Sequence, residues 1–375
     1  MYAFALLRIR PPDGWMASFV AASAAKLPAY GEQDLANSIW TLAELAYNPG
    51  AAWMGAWSER ALEVLQGTTF TLQGLATSTW ALTVLAEYRS PAAARLIAAL
   101  RCRAAELACH PLEASPPPPA PPPPPPPAHD AAQRAPYSPH PPSPTASLLL
   151  SYYAVVLAAR VEAPHLLTPH ELAIAAADGG GGIGGGGGIG GGGCGGAERA
   201  LLSASAAAWR AQGGADSRRE PSRTHARVLA CLRELRVPHT SEHLCLSTER
   251  HVDVAVVDDS ATASVPLATP RRVAIEVDGP SHFFVNSRLP TGPTMLRNRL
   301  LRAAGWRVVS IPWWDWPGDS KWDDQQAYIR RQLARSQGAQ GGADPAGGGE
   351  GAEAGFAREG PDADHARVRM MARFG

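Results

Sequence analysis

The fold of the C-terminal half is decided by the stretch RRVAIEVDGP at residues 271–280. Apolar side chains alternate here with two carboxylates until a Gly-Pro pair stops the run, which predicts a β-strand that ends in a turn. Because successive strand side chains point to opposite faces, Glu276 and Asp278 are expected to project from the same face of a sheet. Two neighbouring acids on one strand face require either a partner or a chemical role.

Regular patterns on both sides of this strand extend it into a small α/β unit. Upstream, three valines alternate with His251, Asp253 and Ala255, so Asp253 is predicted to point away from the valines. Downstream, a periodic apolar segment that is stopped by Gly305 predicts a helix, and a second apolar run predicts a further strand. The predicted order is helix, strand, strand, helix, strand and helix, at residues 224–236, 249–257, 271–278, 294–304, 306–311 and 320–336.

The N-terminal part of the chain repeats itself at a spacing of 38 to 40 residues. Trp40 aligns with Trp80 on a forward shift of 40, and Trp53 aligns with Trp15 on a backward shift of 38. Self-similarity at this spacing is typical of helical hairpins that stack into a solenoid, since one hairpin cannot bury its apolar face alone. Trp40 and Trp80 recur at helical spacing from leucines and are predicted to belong to the core.

Glycine and proline are concentrated in tracts that cannot pack a core. The chain contains 37 Gly and 35 Pro, and residues 121–127 are an unbroken run of proline. A phosphate-binding loop needs glycines at fixed positions with Lys-Ser or Lys-Thr behind them, and the glycine tract at residues 179–196 has neither. Both tracts are therefore predicted to be linkers rather than sites.

The charge of the chain is balanced, with 34 Lys and Arg against 34 Asp and Glu. Residues 218–335 hold a modest basic excess, nearly all of it arginine, which suits bidentate contact with phosphate and stacking on bases. A GC-rich coding sequence produces the same arginine excess, so composition alone does not decide for a nucleic-acid partner.

Several classes of protein are disfavoured by what the sequence lacks. Its 5 cysteines form no C-x-x-C pair and no zinc-finger spacing with histidine. No apolar run reaches the ~18 residues of a membrane span, so no span is expected. The N-terminus has neither the Arg- and Ser-rich character of a transit peptide nor the layout of a secretory signal.

Three segments of the C-terminal half resemble the RAP domain, a module of organellar RNA-handling proteins such as FAST kinase-like proteins and the octotricopeptide-repeat proteins of green algae. They are IEVDGPSHF at residues 275–283, TMLRNRLL at residues 294–301, and GW at residues 305–306 with IPW at residues 311–313. The resemblance implies a restriction-endonuclease-like fold for this domain. It also implies a role in RNA metabolism.

The segment LANSIWTLA at residues 35–43 resembles the octotricopeptide repeat, in which helical hairpins are thought to bind one RNA base each. The resemblance implies that RNA is contacted by polar side chains on the concave face of the solenoid. Asn37 and Thr77 occupy such positions in two successive units and are the candidates here.

The fold class is accordingly predicted to be α+β overall. N-terminal helical hairpin repeats form an α-solenoid, and disordered Pro- and Gly-rich tracts separate it from an α/β restriction-endonuclease-like RAP domain. The predicted divisions are a helical repeat region at 1–112, a Pro-rich linker at 113–146, a degenerate helical repeat at 147–178, a Gly-rich linker at 179–197, the RAP domain with its preceding helix at 198–336, and a disordered tail at 337–375.

The endonuclease-like fold raises the question of catalysis. A metal-dependent nuclease of this fold holds Mg²⁺ with acids from two strands, for which Asp253 and Glu276 are the candidates, and uses a nearby lysine. Asp278 stands at the lysine position, which departs from that pattern, whereas related repair endonucleases use a histidine, a role open to His282. The alternative for both strand acids is structural, through ion pairs with Arg297 or Arg299.

RNA binding without catalysis requires fewer specific residues than cleavage does. Arginines that contact phosphates and aromatic rings that stack on bases are enough to hold a single strand. The candidate residues for this role are Arg297, Arg299, Arg302, Trp313 and Trp314.

The function predicted is that of an organellar RNA-binding protein. Its partners would be single-stranded chloroplast or mitochondrial RNA and other RNA-processing proteins, it would act in RNA stability, processing or translation, and it would require no cofactor. Two alternatives stay open: a Mg²⁺-dependent RNA endonuclease, and a scaffold that docks proteins.

Overall fold

A computed structural model of the chain describes residues 1–67, 70–90, 93–99, 101–102, 144–168, 171, 194–216, 222–258, 271–318 and 321–338. Most of the predicted Pro-rich linker, most of the Gly-rich linker and nearly all of the predicted tail lie outside these residues. Their described margins are helical, so the predicted boundaries require correction there: helices begin at Pro144 and at Cys194, and the last helix extends to Gly338. Pro144 begins its helix because the first helical N–H needs no intrahelical partner.

The N-terminal half is a layer of helices. They are α1 (Tyr2–Leu6), α2 (Asp13–Ala24), α3 (Glu32–Glu44), α4 (Ala51–Gly67), α5 (Leu72–Val84), α6 (93–99), α7 (Pro144–Glu162) and α8 (Cys194–Asp216). One hydrophobic core unites most of them and buries Leu35, Trp57 and Leu82. Trp40 and Trp80 are half-buried and pack against the same core. Among the helices that the structure describes, none has the length and apolar character to cross a membrane.

Three helices of this layer end in the same way. Arg8, Ala46 and Ala86, which follow α1, α3 and α5, all take up left-handed backbone angles with φ of 52°, 52° and 61°. At the end of α3 the Tyr47 N–H donates to the Leu42 carbonyl at 2.9 Å, the bond that closes a Schellman cap. These positions are 38 and 40 residues apart, so local structure recurs at the spacing of the sequence repeat. The octotricopeptide identity of the repeat stays a prediction.

The C-terminal half contains a four-stranded sheet in the order β1-β2-β3-β4. The strands are β1 (Thr240–Cys245), β2 (Arg250–Asp258), β3 (Arg271–Asp278) and β4 (Arg307–Pro312), and the helices are α9 (Arg223–Glu234), α10 (Gly292–Ala303) and α11 (Trp322–Gly338). β3 runs antiparallel to β2 and parallel to β4. The predicted combination of helices with a small mixed sheet is confirmed, whereas the solenoid and the endonuclease-like assignment stay predictions.

The sheet is covered on both faces. Val254, Ile275 and Ile311 point toward α9 and α11, whereas Ala274 and Val252 lie on the opposite face with Leu301 of α10 and Trp306. The prediction that Val252, Val254 and Val256 share one face is therefore wrong. The alternation breaks at Asp253, and the β2–β3 ladder begins at the next residue, Val254. The Asp253 carboxylate instead accepts the Val277 N–H at 2.7 Å.

Two described elements were absent from the sequence prediction. β1 has the sequence TSEHLC, whose mostly exposed side chains give no apolar alternation. It is an edge strand held by its ladder with β2. Helix α8 is rich in alanine, the best helix former. It borders the glycine tract, so the sequence places its first residues in the Gly-rich linker and the rest at the start of the predicted RAP domain.

Helix α10 is the element that joins the sheet to the helical layer. Leu296 and Leu300 belong to the core of the helical layer, whereas Leu301 belongs to the core under the sheet. The N-terminus of α10 approaches the end of α3 so closely that a Cβ atom on Gly292 would lie 1.9 Å from the Ala43 carbonyl oxygen. Only glycine permits this contact.

Substitution of Gly292 by alanine should destabilise the whole chain. The added methyl group must push α10 away from α3, and overpacking of this kind costs about 1–3 kcal/mol. The measurement is the urea midpoint followed by circular dichroism. The matched control is Gly279→Ala, since a Cβ there meets nothing within 4 Å and its φ of −72° is ordinary. Equal midpoints for the two variants would contradict the close approach.

Candidate functional site

A buried ionic cluster lies between β3 and α10. Glu276 and Asp278 are 2% and 1% exposed, and Arg297 of α10 reaches both of them. The Arg297 Nη1 atom lies 3.2 Å from Glu276 Oε2, and its Nη2 atom lies 2.7 Å from Asp278 Oδ1. The prediction that the two acids share a face is confirmed by this shared partner. The structural alternative raised for them, an ion pair with the following helix, is the arrangement that Arg297 adopts.

The cluster gathers side chains from three strands and one helix. Asp253 of β2 is tied to the backbone between the two acids through the Val277 N–H, and Ser310 of β4 donates its hydroxyl to Asp278 Oδ2. Ser310 pairs with Glu276 in the parallel register, which places it on the same face. The acids of β2 and β3 thus converge, as the sequence predicted, at the carboxyl end of β3.

The electrostatics of the cluster keep Glu276 neutral at neutral pH. Burial raises the pKa of Glu276 to about 8, against the opposing attraction of Arg297, and the nearby charges of Asp253 and Asp278 raise it further. The Glu276 Oε1 atom is buried without a hydrogen-bond partner among the described residues. One guanidinium therefore balances one carboxylate, Asp278, while Glu276 holds its proton.

This arrangement does not fit a Mg²⁺ ion held by Asp253 and Glu276. A divalent cation requires free oxygen ligands, but the Arg297 guanidinium lies 3.2 Å from Glu276 Oε2 and the Asp253 carboxylate is bound to the Val277 N–H. Within the described part of the chain, no three His, Cys, Asp or Glu side chains are arranged to hold a metal.

His282 lies where the cluster opens to solvent. Its side chain is 36% exposed, and its Nδ1 atom lies 3.6 Å from Asp278 Oδ1 and 3.3 Å from Thr294 Oγ1. Burial lowers the pKa of His282, and the positive charge of Arg297 lowers it further. His282 is therefore a neutral ring at the mouth of the cluster.

Aromatic side chains continue the surface beyond His282. Trp313 and Trp314 follow β4 and are half-buried, with their ring centroids 5.8 Å apart in an edge-to-face arrangement. Trp314 also meets Phe283 edge-to-face at 4.1 Å, and the exposed Arg288 places its guanidinium carbon 5.9 Å from the Trp314 centroid. Sequence reasoning named the two tryptophans but not Arg288, which lies in a loop without periodicity.

The predicted RNA-binding arginines have three different environments. Arg297 is 12% exposed and paired inside the cluster, so its charge is not available to a phosphate. Arg299 donates to Glu162 Oε1 at 2.9 Å and to the last carbonyl groups of α5, those of Thr83 and Val84, at 2.6 and 2.7 Å. Arg302 is exposed. Of the three, only Arg302 faces solvent.

The predicted base-contacting residues of the helical layer occupy matching places. Asn37 on α3 and Thr77 on α5 are both half-buried, one helical turn before Trp40 and Trp80 respectively. The Thr77 hydroxyl accepts a hydrogen bond from the Gln73 amide at 3.3 Å.

A second buried glutamate, which sequence reasoning missed, joins the sheet to the helical layer. Glu249 precedes β2 with a left-handed φ of 46°. Its carboxylate accepts from the Tyr153 hydroxyl at 2.7 Å and contacts Arg160 and Arg210 at 3.5 and 3.1 Å, while its backbone carbonyl accepts from the Trp209 indole at 3.0 Å. Partners so distant in sequence leave no local pattern.

Comparison with known proteins gives one family match and one curated relative. A model described as the RAP domain matches residues 275–332, from β3 into α11. A chloroplastic RAP domain-containing protein of Oryza sativa subsp. japonica is 40% identical over 62 residues, which cover 16% of this chain and 10% of that relative. The chain therefore contains a RAP domain at residues 275–332, as the motifs predicted. The aligned segment spans about a tenth of the relative's length.

Removal of the Arg297 charge should lower the free energy of unfolding of the chain. An Arg297→Met variant leaves the Asp278 carboxylate buried without its partner, which typically costs 3–5 kcal/mol. The free energy of unfolding from urea titration measures the loss. Arg302→Met on the exposed side of the same helix is the control and should change stability by less than about 0.5 kcal/mol. A second substitution, Asp278→Asn, should recover part of the loss only when it is combined with Arg297→Met.

The pH dependence of stability should report on Glu276. Its folded pKa of about 8 exceeds the ordinary 4.5, so the folded state binds a proton that the unfolded state releases between these values. Stability from this group is full below about pH 4.5 and is lost as pH rises through about 8. Glu276→Gln should remove this loss. The difference in unfolding free energy between the variant and the original chain should then grow from pH 5 to pH 8. His282 is present in both chains and cancels, and a constant difference would contradict the assignment.

Proposed function

We propose that this chain binds single-stranded RNA in the chloroplast or the mitochondrion and acts in RNA stability, processing or translation. The observation that carries the proposal is the RAP domain at residues 275–332 with the aromatic and basic surface that it contains. RAP domains resemble one another across organellar RNA-handling proteins, and the relative from Oryza sativa is named as chloroplastic. The choice between the two organelles rests on that name alone, which favours the chloroplast.

The surface at the end of β4 supports binding to unpaired bases. Trp313 and Trp314 are half-buried, so each ring is fixed by neighbours while part of it stays accessible. Stacking of a base on such a ring contributes about 1–3 kcal/mol and does not depend strongly on sequence. Bases in a duplex are already stacked and paired, so the surface favours single strands.

The helical layer supports a second set of contacts. Asn37 and Thr77 lie at the same place on α3 and α5, and these helices end in the same left-handed turn. Side chains that recur at one position of successive units can each meet one base of an extended strand. This supports a division of roles in which the helices contact the bases of the RNA and the RAP domain holds the RNA strand in place.

Binding is favoured over cleavage by the buried cluster itself. Arg297 contacts both Glu276 and Asp278, and Asp253 accepts the Val277 N–H, so the acids that a nuclease would use have internal partners. The proposed role of the cluster is to fix β3 against α10 and to hold His282 and the tryptophans in place.

The full chain should bind a fluorescein-labelled oligouridylate with an affinity that falls as salt rises. Each phosphate contact contributes a slope of about −0.7 in the plot of log affinity against log salt for a single strand. Fluorescence anisotropy between about 50 and 200 mM salt measures this slope. A labelled duplex of the same length should bind more weakly. Arg302→Gln should reduce the slope if the exposed face of α10 contacts phosphate.

The control for charge is Arg335→Gln, because Arg335 is also exposed but lies on α11, across the sheet. It should leave the slope unchanged. Binding that is absent at every salt concentration, or that does not vary with salt, would contradict the proposal and favour a protein-docking scaffold.

A further inference from the structure

The first loop of the helical layer and a loop of the RAP domain form one surface. The Val285 N–H donates to the Arg8 carbonyl at 2.8 Å. Asn286 then binds the backbone of Arg10 twice: it accepts the Arg10 N–H at 2.9 Å and donates to the Arg10 carbonyl at 2.8 Å. These bonds tie residues 283–290 to the turn that follows α1. A ligand at this junction would therefore touch both parts of the chain at once.

The aromatic centre of the junction is Trp314. Phe283 and Trp313 hold its ring by edge-to-face contacts, at 4.1 and 5.8 Å between centroids. Arg288 lies 5.9 Å from the Trp314 centroid, near the ~6 Å limit of a cation–π contact. On the other side of the sheet Arg227 lies only 4.7 Å from the Trp322 centroid. The Arg288 contact is thus the looser of the two.

The rim of the junction is basic and apolar. Arg8 is exposed and lies near enough to His282 for its charge to act on that ring. Val285, Leu289 and Met295 are 54%, 48% and 46% exposed, although side chains of their kind are usually buried. The Glu44 carboxyl group also lies near Arg8, but burial raises the pKa of Glu44 to about 7. Its attraction to the Arg8 guanidinium is therefore weakened at neutral pH.

The geometry points to a junction subsite for one unpaired nucleotide, formed by Arg8, His282, Arg288 and Trp314. The base stacks on Trp314 beneath Arg288, and a neighbouring phosphate meets Arg8 at the edge of the helical layer. This assignment rests on the proposed RNA-binding function and deepens it. It places the strand where it passes from the helical layer to the RAP domain, and it gives a role to Arg8 and Arg288.

Single-stranded RNA fits this surface better than a peptide does. An acidic peptide would satisfy the two arginines but would offer no flat ring to Trp314, and an apolar peptide would leave both guanidinium groups without a partner. A nucleotide offers a flat π-face and an anion a few ångströms apart, and arginine pairs with both.

The test compares matched variants of the full chain by anisotropy with the labelled oligouridylate. Trp314→Leu should weaken binding roughly 5- to 150-fold, the range expected for loss of one stacked base. Trp322→Leu is the matched control, since Trp322 is also half-buried beside an arginine but lies on the opposite face of the sheet. It should leave affinity unchanged. Arg8→Gln should reduce the magnitude of the salt slope by about 0.7 through loss of one phosphate contact, whereas Arg335→Gln should leave it unchanged. Arg288→Gln should weaken binding, because the base loses the guanidinium above it.

The outcomes separate the two proposals. If the original chain binds RNA and the variants at Arg8, Arg288 and Trp314 bind equally well, the junction subsite is wrong and the RNA lies elsewhere. If the original chain binds no RNA, the proposed function itself fails. Urea midpoints identify a variant that loses its fold, and Arg288→Gln keeps the test decisive if Trp314→Leu unfolds, because the Arg288 side chain is exposed.

Discussion

One guanidinium between two buried acidic side chains fixes the architecture of the C-terminal half. The Asp278 carboxylate cannot be buried at the end of β3 unless a cation accompanies it, because an unpaired buried charge costs several kcal/mol. Arg297 provides that cation from α10, at 3.2 and 2.7 Å. The position of α10 along the sheet is therefore set by where its arginine must reach. Since α10 also carries Leu296 and Leu300 into the helical core, the same interaction positions the helical layer.

Two further buried glutamates, Glu162 and Glu249, complete the attachment. Glu162 at the end of α7 accepts from Arg299 and from the Tyr88 hydroxyl. Glu249 joins α7 and α8 to the start of β2 through Tyr153 and three further partners. Both are shielded from water, where ion pairs and hydrogen bonds are stronger than at the surface. Together with the close contact at Gly292, they make the sheet and the helical layer a single packed body.

The sequence predicted the elements better than their environments. Alternation and periodicity identified β2, β3, β4, α9 and α10 within a few residues, since one face of each is apolar. They could not identify β1, an edge strand with exposed side chains, or the change of face at Asp253, where a side chain replaces a ladder bond. The RAP motifs identified the domain at residues 275–332 because each motif is a short, continuous stretch of sequence. The partners of Glu162 and Glu249 are remote in sequence, so no local pattern could reveal them.

The number of arginines in a segment is a poor guide to how much positive charge faces solvent, and α10 shows why. Arg297 and Arg299 are two residues apart, about 200° around a helix, so one must face the sheet when the other faces away from it. Because α10 is packed on both of these sides, the first becomes an internal counter-ion and the second caps the end of α5. Only Arg302 on this helix is left for solvent. A count of basic residues gives all three the same weight. Exposed positive charge is also found outside the helical pattern, at Arg8 and Arg288, whose loops are fixed by backbone bonds while their side chains stay exposed.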